Sequence, residues 1–348
     1  MRILQGRPER ADRQDEEAGR GKLRSRRDRP EFPRALLAVA LACVPIAPAL
    51  ADDVLHPTIG WPVGAVADIQ LAREVVRAAG DDDARWETTE SWSVAVHADP
   101  AGGVRVVPGP RTILTDTWTG TAPRSPGMIL VQVLADDNGT WILSEDGRLV
   151  DVVPFAAQLR LGPLAQIALR DEPQGARTWR SAGSHPSLLG AAKQRWGALI
   201  ELWRDADGWT LGEVRQHDVP QPTPGLTGTY TSTAERTFVA RVPCQEGGPP
   251  RCVEMAMESR FDKKSVEAYH ELVKGGEAKG PLAVNEEIVA VVADPEGMLP
   301  YHATLRRRTT TLYPEPSGAG FKIARANQEQ SRIMVFDWTL PAGPQLPE

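Results

Sequence analysis

Two cysteines lie close together in the second half of the chain. Cys244 and Cys252 stand on either side of a Gly-Gly-Pro-Pro turn, within the segment VPCQEGGPPRCVE. A zinc site needs about four ligands, and no second Cys or His pair at ligand spacing lies nearby in the sequence. The spacing also differs from that of a C-x-x-C redox site. We therefore expect a disulfide that closes a hairpin and stabilises the fold by about 2–3 kcal/mol.

A second candidate is the basic segment LRRRTTTL, which is the densest cluster of positive charge after the N-terminal region. In a β-strand, Arg306 and Arg308 share one face while Arg307 points to the other. Two guanidiniums on one face could bind a phosphate or a carboxylate, including an anionic lipid headgroup. An edge strand whose charges prevent pairing with other sheets is the plainer explanation. Arg306 and Arg308 are nevertheless the candidate ligand-binding residues.

Motifs for hydrolysis, metal-dependent catalysis and phosphate binding are absent from the sequence. Ser184 and His185 are adjacent but precede Pro186, and Ser184 is better explained as a helix N-cap. EF-hand alignments fail, because Leu134 stands at the first ligand position of the alignment on Gly139, and Trp203 and Val214 stand at the two ends of the alignment on Gly208. The sequence therefore predicts no catalytic residue, no metal site and no cofactor. A hydrolytic site built from residues distant in sequence stays an alternative, because geometry defines such sites.

The N-terminal residues predict an export signal. The Arg-rich segment RSRRDRPEFPR leads into an apolar run and then a small-x-small site at residues 49–51. The run is shorter than the roughly 20 residues of a membrane-spanning helix. We expect residues 1–51 to be removed, so that the mature chain begins at Asp52 in the periplasm or outside the cell. Lipid anchoring at Cys43 is a minor alternative, because the residues before it fit a lipoprotein site poorly.

Charge distribution bounds the choice of partners. Residues 1–51 hold 11 of the 40 Lys and Arg and 7 of the 46 Asp and Glu, which leaves residues 52–348 with a formal net charge of −10. Nucleic acids require clustered Lys and Arg, so an acidic exported chain is a poor candidate for binding them. The two cysteines left after cleavage form an even pair, as is typical of oxidising compartments. A small apolar ligand or an envelope protein is the expected partner, with membrane contact only through the leader.

Hydrophobic periodicity predicts the elements that would position these residues. Alternating or continuous apolar runs predict strands in WSVAVHA, GVRVV, MILVQVLA, TWILSE, RLVDVV, RTFVARVPC, CVEMAMES, EEIVAVVAD, LPYHATLRRRTTTL and SRIMVFDWTL. Apolar residues at steps of three and four predict helices in VADIQLAREVVRAAG, FAAQLRLGPLAQIAL, LLGAAKQRWGALIELW and KKSVEAYHELVKGG. Trp196 and Trp203 fall on one face of the third predicted helix. They could form an aromatic platform for a ligand, but the simpler interpretation is that this face packs against the core.

The predicted fold class is therefore α+β, with predominantly antiparallel β-sheet and a few packed amphipathic helices. A Pro-rich stretch at 218–228 predicts a surface linker between a strand-rich unit with helices at 52–217 and an antiparallel unit at 229–348. The two sheet-rich halves share similar turn chemistry at Asp146-Gly147 and at 294–299. This similarity hints that they are related units.

Three functional hypotheses follow, and no motif identifies a family. The first is a non-catalytic exported protein of the bacterial envelope that acts by binding or assembly. The second is a carrier that holds an apolar or lipid-like ligand in a Trp- and Met-lined cavity, with Arg306 and Arg308 near its mouth. In overall architecture the predicted chain resembles small envelope proteins that wrap a curved sheet around helices to hold a lipid. The third hypothesis is a hydrolase with a site that the sequence does not reveal.

Overall fold

The computed structural model describes most of the chain after the predicted leader. The described residues are 54–79, 82–121, 139–153, 185–200, 203–204, 207–222, 229–261, 263–277, 280–317 and 320–341. All of them belong to one compact unit, Asp52–Glu348. The leader and the predicted segments MILVQVLA and FAAQLRLGPLAQIAL lie outside the described residues.

Strands make up most of the described chain. The twelve strands are β1 Val66–Ala79, β2 Asp82–Ala98, β3 Val104–Pro108, β4 Thr112–Gly120, β5 Thr140–Leu143, β6 Leu149–Val153, β7 Val214–Pro222, β8 Thr229–Val242, β9 Cys252–Phe261, β10 Leu282–Asp294, β11 Leu299–Ser317 and β12 Gly320–Thr339. The two helices in the described residues are α1 His185–Leu199 and α2 Lys263–Lys274. The prediction of a predominantly antiparallel sheet is confirmed, and within the described residues the helical part is smaller than the sequence suggested, because one predicted helix is a strand.

One antiparallel sheet contains all twelve strands. Its order is β6-β5-β3-β2-β1-β12-β11-β10-β9-β8-β7, and β4 pairs with β2 outside this path. The long strand β2 pairs with β4 along its first half and with β3 along its second half. At the centre of the sheet, β1 pairs with β12 over thirteen consecutive positions, from Val66 opposite Thr339 to Ala78 opposite Asn327.

The segment VADIQLAREVVRAAG was predicted to be a helix, and this prediction is wrong. These residues form β1, which pairs with β2 on one side and β12 on the other. Ile69, Leu71, Arg73 and Val75 are buried, so burial alternates with a period of two. The same apolar residues also satisfy part of a helical period, and pairing with two long neighbours decides between the two patterns.

Several local predictions are confirmed by the strand register. β8 and β9 form the hairpin closed by the two cysteines, and β5 pairs with β6 across Asp146-Gly147. The strands predicted in WSVAVHA and GVRVV lie in β2 and β3, which pair across the turn at 99–102. α1 and α2 occupy the third and fourth predicted helices, where Gly276 follows α2 with a positive φ of 72° that suits a helix C-terminus.

The predicted linker contributes to the sheet. Its residues 218–222 lie in β7, an edge strand that pairs with β8, while residues 223–228 lie outside the described part of the chain. Pro220 and Pro222 suit an edge strand, because proline cannot donate a hydrogen bond to a second neighbour. The sheet continues across the predicted boundary, and the division into two related units stays a prediction.

The sheet has two differently covered faces, which we call the inner and the outer face. The inner face carries the main core, in which strand residues such as Ile69, Met255 and Val289 are buried together with Trp196 of α1. The outer face carries residues of opposite parity in the same strands. At one end of this outer face, α2 packs Tyr269 and Val273 against Leu282 and Leu312. α1 therefore covers the inner face and α2 the outer face.

Candidate functional site

An apolar pocket lies between the inner face of the sheet and helix α1. The cavity volume is about 110 Å³, and the empty space of the whole depression, counted together with the open solvent at its mouth, is about 820 Å³. The sheet contributes apolar side chains from β1, β2, β3, β5 and β12, and α1 contributes the opposite wall. The largest side chains that line it are Trp61, Trp92, Trp141, Trp196, Met334 and Phe336.

Edge-to-face contacts between tryptophans fix the pocket wall. The ring centroids of Trp61 and Trp196 lie 5.3 Å apart, and those of Trp141 and Trp196 lie 5.8 Å apart. Trp61 makes a similar contact with Trp338 at 5.3 Å. The indole N–H of Trp196 donates to the carbonyl oxygen of Gly147 at 3.1 Å. These contacts hold the large rings in defined orientations, so the pocket is built from a rigid aromatic framework.

The tryptophan face of α1 faces the core, as the plainer of the two sequence interpretations expected, and its role as a ligand platform stays a prediction. Leu188, Ala192, Trp196 and Trp203 are buried, as a core-facing stripe requires. Trp196 also lines the pocket. Core packing and pocket lining are therefore combined in a single side chain.

Polar contacts tie both ends of α1 to the β5–β6 hairpin. His185 Nε2 lies 2.7 Å from Asp151 Oδ1 at the start of the helix. Just after the helix, Arg204 donates to the carbonyl oxygen of Asp146 at 2.8 Å. The backbone N–H of Val152, followed by the His185 ring, lowers the pKa of the Asp151 carboxyl below its usual range. His185 therefore has a structural partner in Asp151, while Ser184 lies outside the described residues.

Two arginines are the charged side chains in the described part of the pocket lining. Arg111 stands just before β4, and Arg195 lies on α1; both line the pocket. Arg111 Nη1 donates to Glu90 Oε2 at 2.8 Å, and the guanidinium carbon lies 4.2 Å from the centroid of the Trp92 ring. Among the described residues that line the pocket, none is an acid, a histidine, a cysteine or a hydroxyl residue.

The carboxylate that binds Arg111, that of Glu90, is buried and has further polar partners. The Glu90 side chain is 8% exposed, and Arg73 Nη2 lies 3.6 Å from its second oxygen. The Thr88 hydroxyl donates to the same oxygen at 3.4 Å. A buried charge is tolerable when it is paired and hydrogen-bonded. Sequence analysis missed Arg111, Glu90 and Arg195, because only the pairing of β2 with its neighbours and the packing of α1 bring them to the pocket.

Arg306 and Arg308 lie on the outer face of β11, away from the pocket-lining residues. Both are exposed, and Arg308 lies 3.6 Å from Glu329 and 4.0 Å from Glu286. Arg307 points to the inner face and donates to Glu287 at 3.0 Å. The edge-strand explanation is wrong, because β11 pairs with β10 and β12 on both sides. Ligand binding by Arg306 and Arg308 stays a prediction.

The disulfide between Cys244 and Cys252 is present and closes the β8–β9 hairpin. Cys252 is fully buried in the main core, and Cys244 packs against the edge of that core. Arg251 Nε lies 3.2 Å from the Cys244 sulfur and Nη2 lies 3.3 Å from the Tyr301 hydroxyl. The bond therefore joins the two ends of the turn between β8 and β9.

Metal-binding clusters and membrane-spanning helices are both absent from the described residues. No group of three or more His, Cys, Asp or Glu side chains is arranged to hold a metal ion there. Neither of the helices in that part of the chain is long and apolar enough to cross a membrane.

Comparisons with known proteins give no family. No family model and no curated protein matches the chain. Among solved structures, one described as lipid-protein interactions in lipovitellin aligns with 82% of this chain and 27% of its own, at 10% identity and a TM-score of 0.38. An outer membrane channel from Pseudomonas putida F1 aligns with 80% of this chain and 98% of its own, at 9% identity and a TM-score of 0.18. The chain thus spans about a quarter of the lipovitellin chain, and TM-scores this low do not establish a shared fold.

Proposed function

We propose that the protein is an exported, non-catalytic binding protein that holds an apolar ligand in the pocket between the inner face and α1. The observation that carries this proposal is the lining of the pocket, where four tryptophans and aliphatic side chains surround two arginines in the described part of the chain. Small-molecule sites are concave and mostly apolar, with a few polar groups that orient the ligand. The pocket has this composition.

The chemistry of the lining supports binding over hydrolysis. Hydrolysis requires a nucleophile or an activated water together with a general base near the bound substrate. The described lining offers guanidiniums, indoles, aliphatic side chains and backbone groups. A guanidinium stays protonated and therefore cannot act as a base at ordinary pH. The pocket is suited to hold a ligand unchanged.

Export is supported by independent features. The sequence from Arg24 to Ala51 has the pattern of a secretion signal, and the remaining chain carries one disulfide pair. Structural disulfides persist in oxidising compartments such as the periplasm. We therefore place the ligand-binding role outside the cytoplasm, and in the bacterial envelope.

Direct binding of a fluorescent apolar probe tests the proposal. The mature chain is titrated with N-phenyl-1-naphthylamine, whose emission rises in an apolar environment, and we expect saturable binding at one site. Met334→Phe adds volume inside the pocket and should weaken binding roughly tenfold or more, since overpacking costs about 1–3 kcal/mol. Val335→Phe is the matched control, because Val335 is the next residue of β12 and is 45% exposed on the outer face.

The outcomes separate the hypotheses. Saturable binding that Met334→Phe weakens and Val335→Phe preserves supports a carrier. Equal binding by the wild type and both variants would place the probe elsewhere and remove the pocket from the mechanism. Absence of binding by a folded chain would leave assembly with an envelope partner as the better hypothesis.

A further inference from the structure

We infer that the pocket selects amphiphiles with an anionic head, such as a carboxylate or a phosphate on an apolar chain, and that Arg111 and Arg195 form its polar end. This inference rests on the proposed function, because it specifies the ligand class of the same pocket.

Within the described part of the lining, the ionisable side chains are both cationic and come from two directions. Arg111 approaches from the sheet, and Arg195 approaches from α1. Guanidiniums bind carboxylate and phosphate oxygens through parallel N–H groups, which an ammonium cannot reproduce. A cationic ligand would instead meet charges of its own sign in a site with little polar surface.

Arg111 is already held in position before any ligand arrives. Glu90 accepts from Nη1 on one side, and the ring of Trp92 lies against the guanidinium plane at 4.2 Å. Glu90 is itself fixed by Thr88 and by Arg73. A side chain with a fixed position loses little rotamer freedom on binding, so its hydrogen bonds add more to affinity. Glu90 is thus a positioning residue for Arg111.

The rest of the lining requires the ligand to carry an apolar part. Beyond the two arginines, the pocket presents tryptophan, phenylalanine, methionine and aliphatic side chains. Each methylene group buried against them adds to binding in proportion to its area. A small free anion gains nothing from this surface, which distinguishes an amphiphile from inorganic phosphate or acetate as the ligand.

The experiment compares ligands that share one chain and differ in the head. Dodecanoate, monododecyl phosphate, dodecanol and dodecyltrimethylammonium compete with N-phenyl-1-naphthylamine for the mature chain, below their critical micelle concentrations. Acetate and inorganic phosphate serve as head-only competitors. We expect the anionic amphiphiles to bind roughly tenfold or more tightly than dodecanol, the cation to bind most weakly, and the head-only anions not to compete.

Variants then locate the head. Arg111→Gln and Arg195→Gln should each reduce the ratio of dodecanoate affinity to dodecanol affinity, measured in the same variant, roughly tenfold. Arg195→Gln is the safeguard if Arg111→Gln fails to fold with Glu90 buried. Glu90→Gln should weaken the anionic preference less than Arg111→Gln does. Arg105→Gln is the matched control, because Arg105 also forms an ion pair but points away from pocket-lining Val106 on the same strand.

Each result decides between defined alternatives. Equal affinity for anionic, neutral and cationic amphiphiles would overturn this inference and leave the proposed function intact. Binding by none of them would overturn both. An anionic preference that Arg111→Gln and Arg195→Gln retain, but that Arg306→Gln/Arg308→Gln abolishes, would move the head to the outer face and also overturn the inference.

Discussion

Trp61 and Trp196 meet edge to face with ring centroids 5.3 Å apart, and this contact joins the segment before β1 to helix α1. Trp196 is fully buried and also touches Trp141. The same ring therefore supports the core and bounds the pocket, so its removal should affect both stability and binding.

Trp196→Ala should lower the free energy of unfolding by about 3–5 kcal/mol, which is the usual cost of removing a buried large aromatic side chain. Urea denaturation followed by circular dichroism measures this loss. Val335→Ala is the control, because it shortens an exposed side chain and should change stability by less than about 0.5 kcal/mol. A loss of similar size in both variants would contradict the role given to Trp196.

Removing the disulfide should lower stability without removing the pocket. Cys244→Ala/Cys252→Ala should reduce the free energy of unfolding by about 2–3 kcal/mol, since the bond closes a loop with a sequence separation of 8. The urea midpoint of the wild type should shift in the same direction when a reductant is added. If the variant kept its fold and lost probe binding, the purely structural role of the bond would be wrong.

Alanine substitutions at two glycines of similar backbone conformation would distinguish the cost of a steric clash from the cost of backbone strain. Gly103 and Gly212 have φ values of 81° and 78°, which only glycine adopts at little cost. A Cβ at Gly103 would clash with the backbone carbonyl oxygen of Leu143 on β5, whereas one at Gly212 would meet nothing within 4 Å. Gly212→Ala should therefore cost about 1–2 kcal/mol. Gly103→Ala should cost roughly 1–3 kcal/mol more by thermal or urea unfolding, and equal losses would place Gly103 in open space.

Acid should destabilise the protein through a half-buried histidine. Burial lowers the pKa of His302 below its ordinary value of 6.5, against the opposing effect of nearby Glu254. Between the folded and unfolded pKa values the unfolded chain binds more protons, so stability rises with pH in this range and falls as pH drops below about 6.5. Burial, followed by Arg236, also lowers the pKa of His217, which should add to the same effect.

His302→Gln should therefore flatten the decline in urea midpoint between neutral and mildly acidic pH. His97→Gln is the control, because His97 is exposed. A variant at residue 302 with the same pH dependence as the wild type would show that other groups cause the decline.

The sequence predicted the sheet from local pattern but not its extent. Hairpins such as β5–β6 and β8–β9 depend on short turns and strict alternation, which are visible in the residues themselves. β1 was missed because Ile69, Leu71 and Val75 suit either period, and only its two neighbours on the sheet decide. Local hydrophobic periodicity does not show which distant strands pair with each other.

The candidate site was predicted less well for the same reason. Alternation correctly separates Arg307 from Arg306 and Arg308, and the tryptophan stripe on α1 is visible as a helical period. The pocket depends on α1 lying over the inner face, where Trp196 meets Trp61 and Trp141, and no local pattern encodes this packing. Arg111 is a single arginine beside a strand, and its importance comes from Glu90 and Trp92 on the neighbouring strand.

Strand β12 is the last described strand along the chain, yet it lies in the middle of the sheet, between β1 and β11. Arg77 Nε donates to Gln328 across the pairing of β1 with β12 although the two residues are 251 positions apart in the chain. During synthesis, β1 and β11 therefore both remain open edges until β12 has been made, and contacts this distant in sequence form slowly. A truncation before Gly320 would therefore remove a central strand and not an edge strand. It would leave β1 and β11 as two open edges in the middle of the sheet, and it would remove Phe336, which lines the pocket together with Ile69.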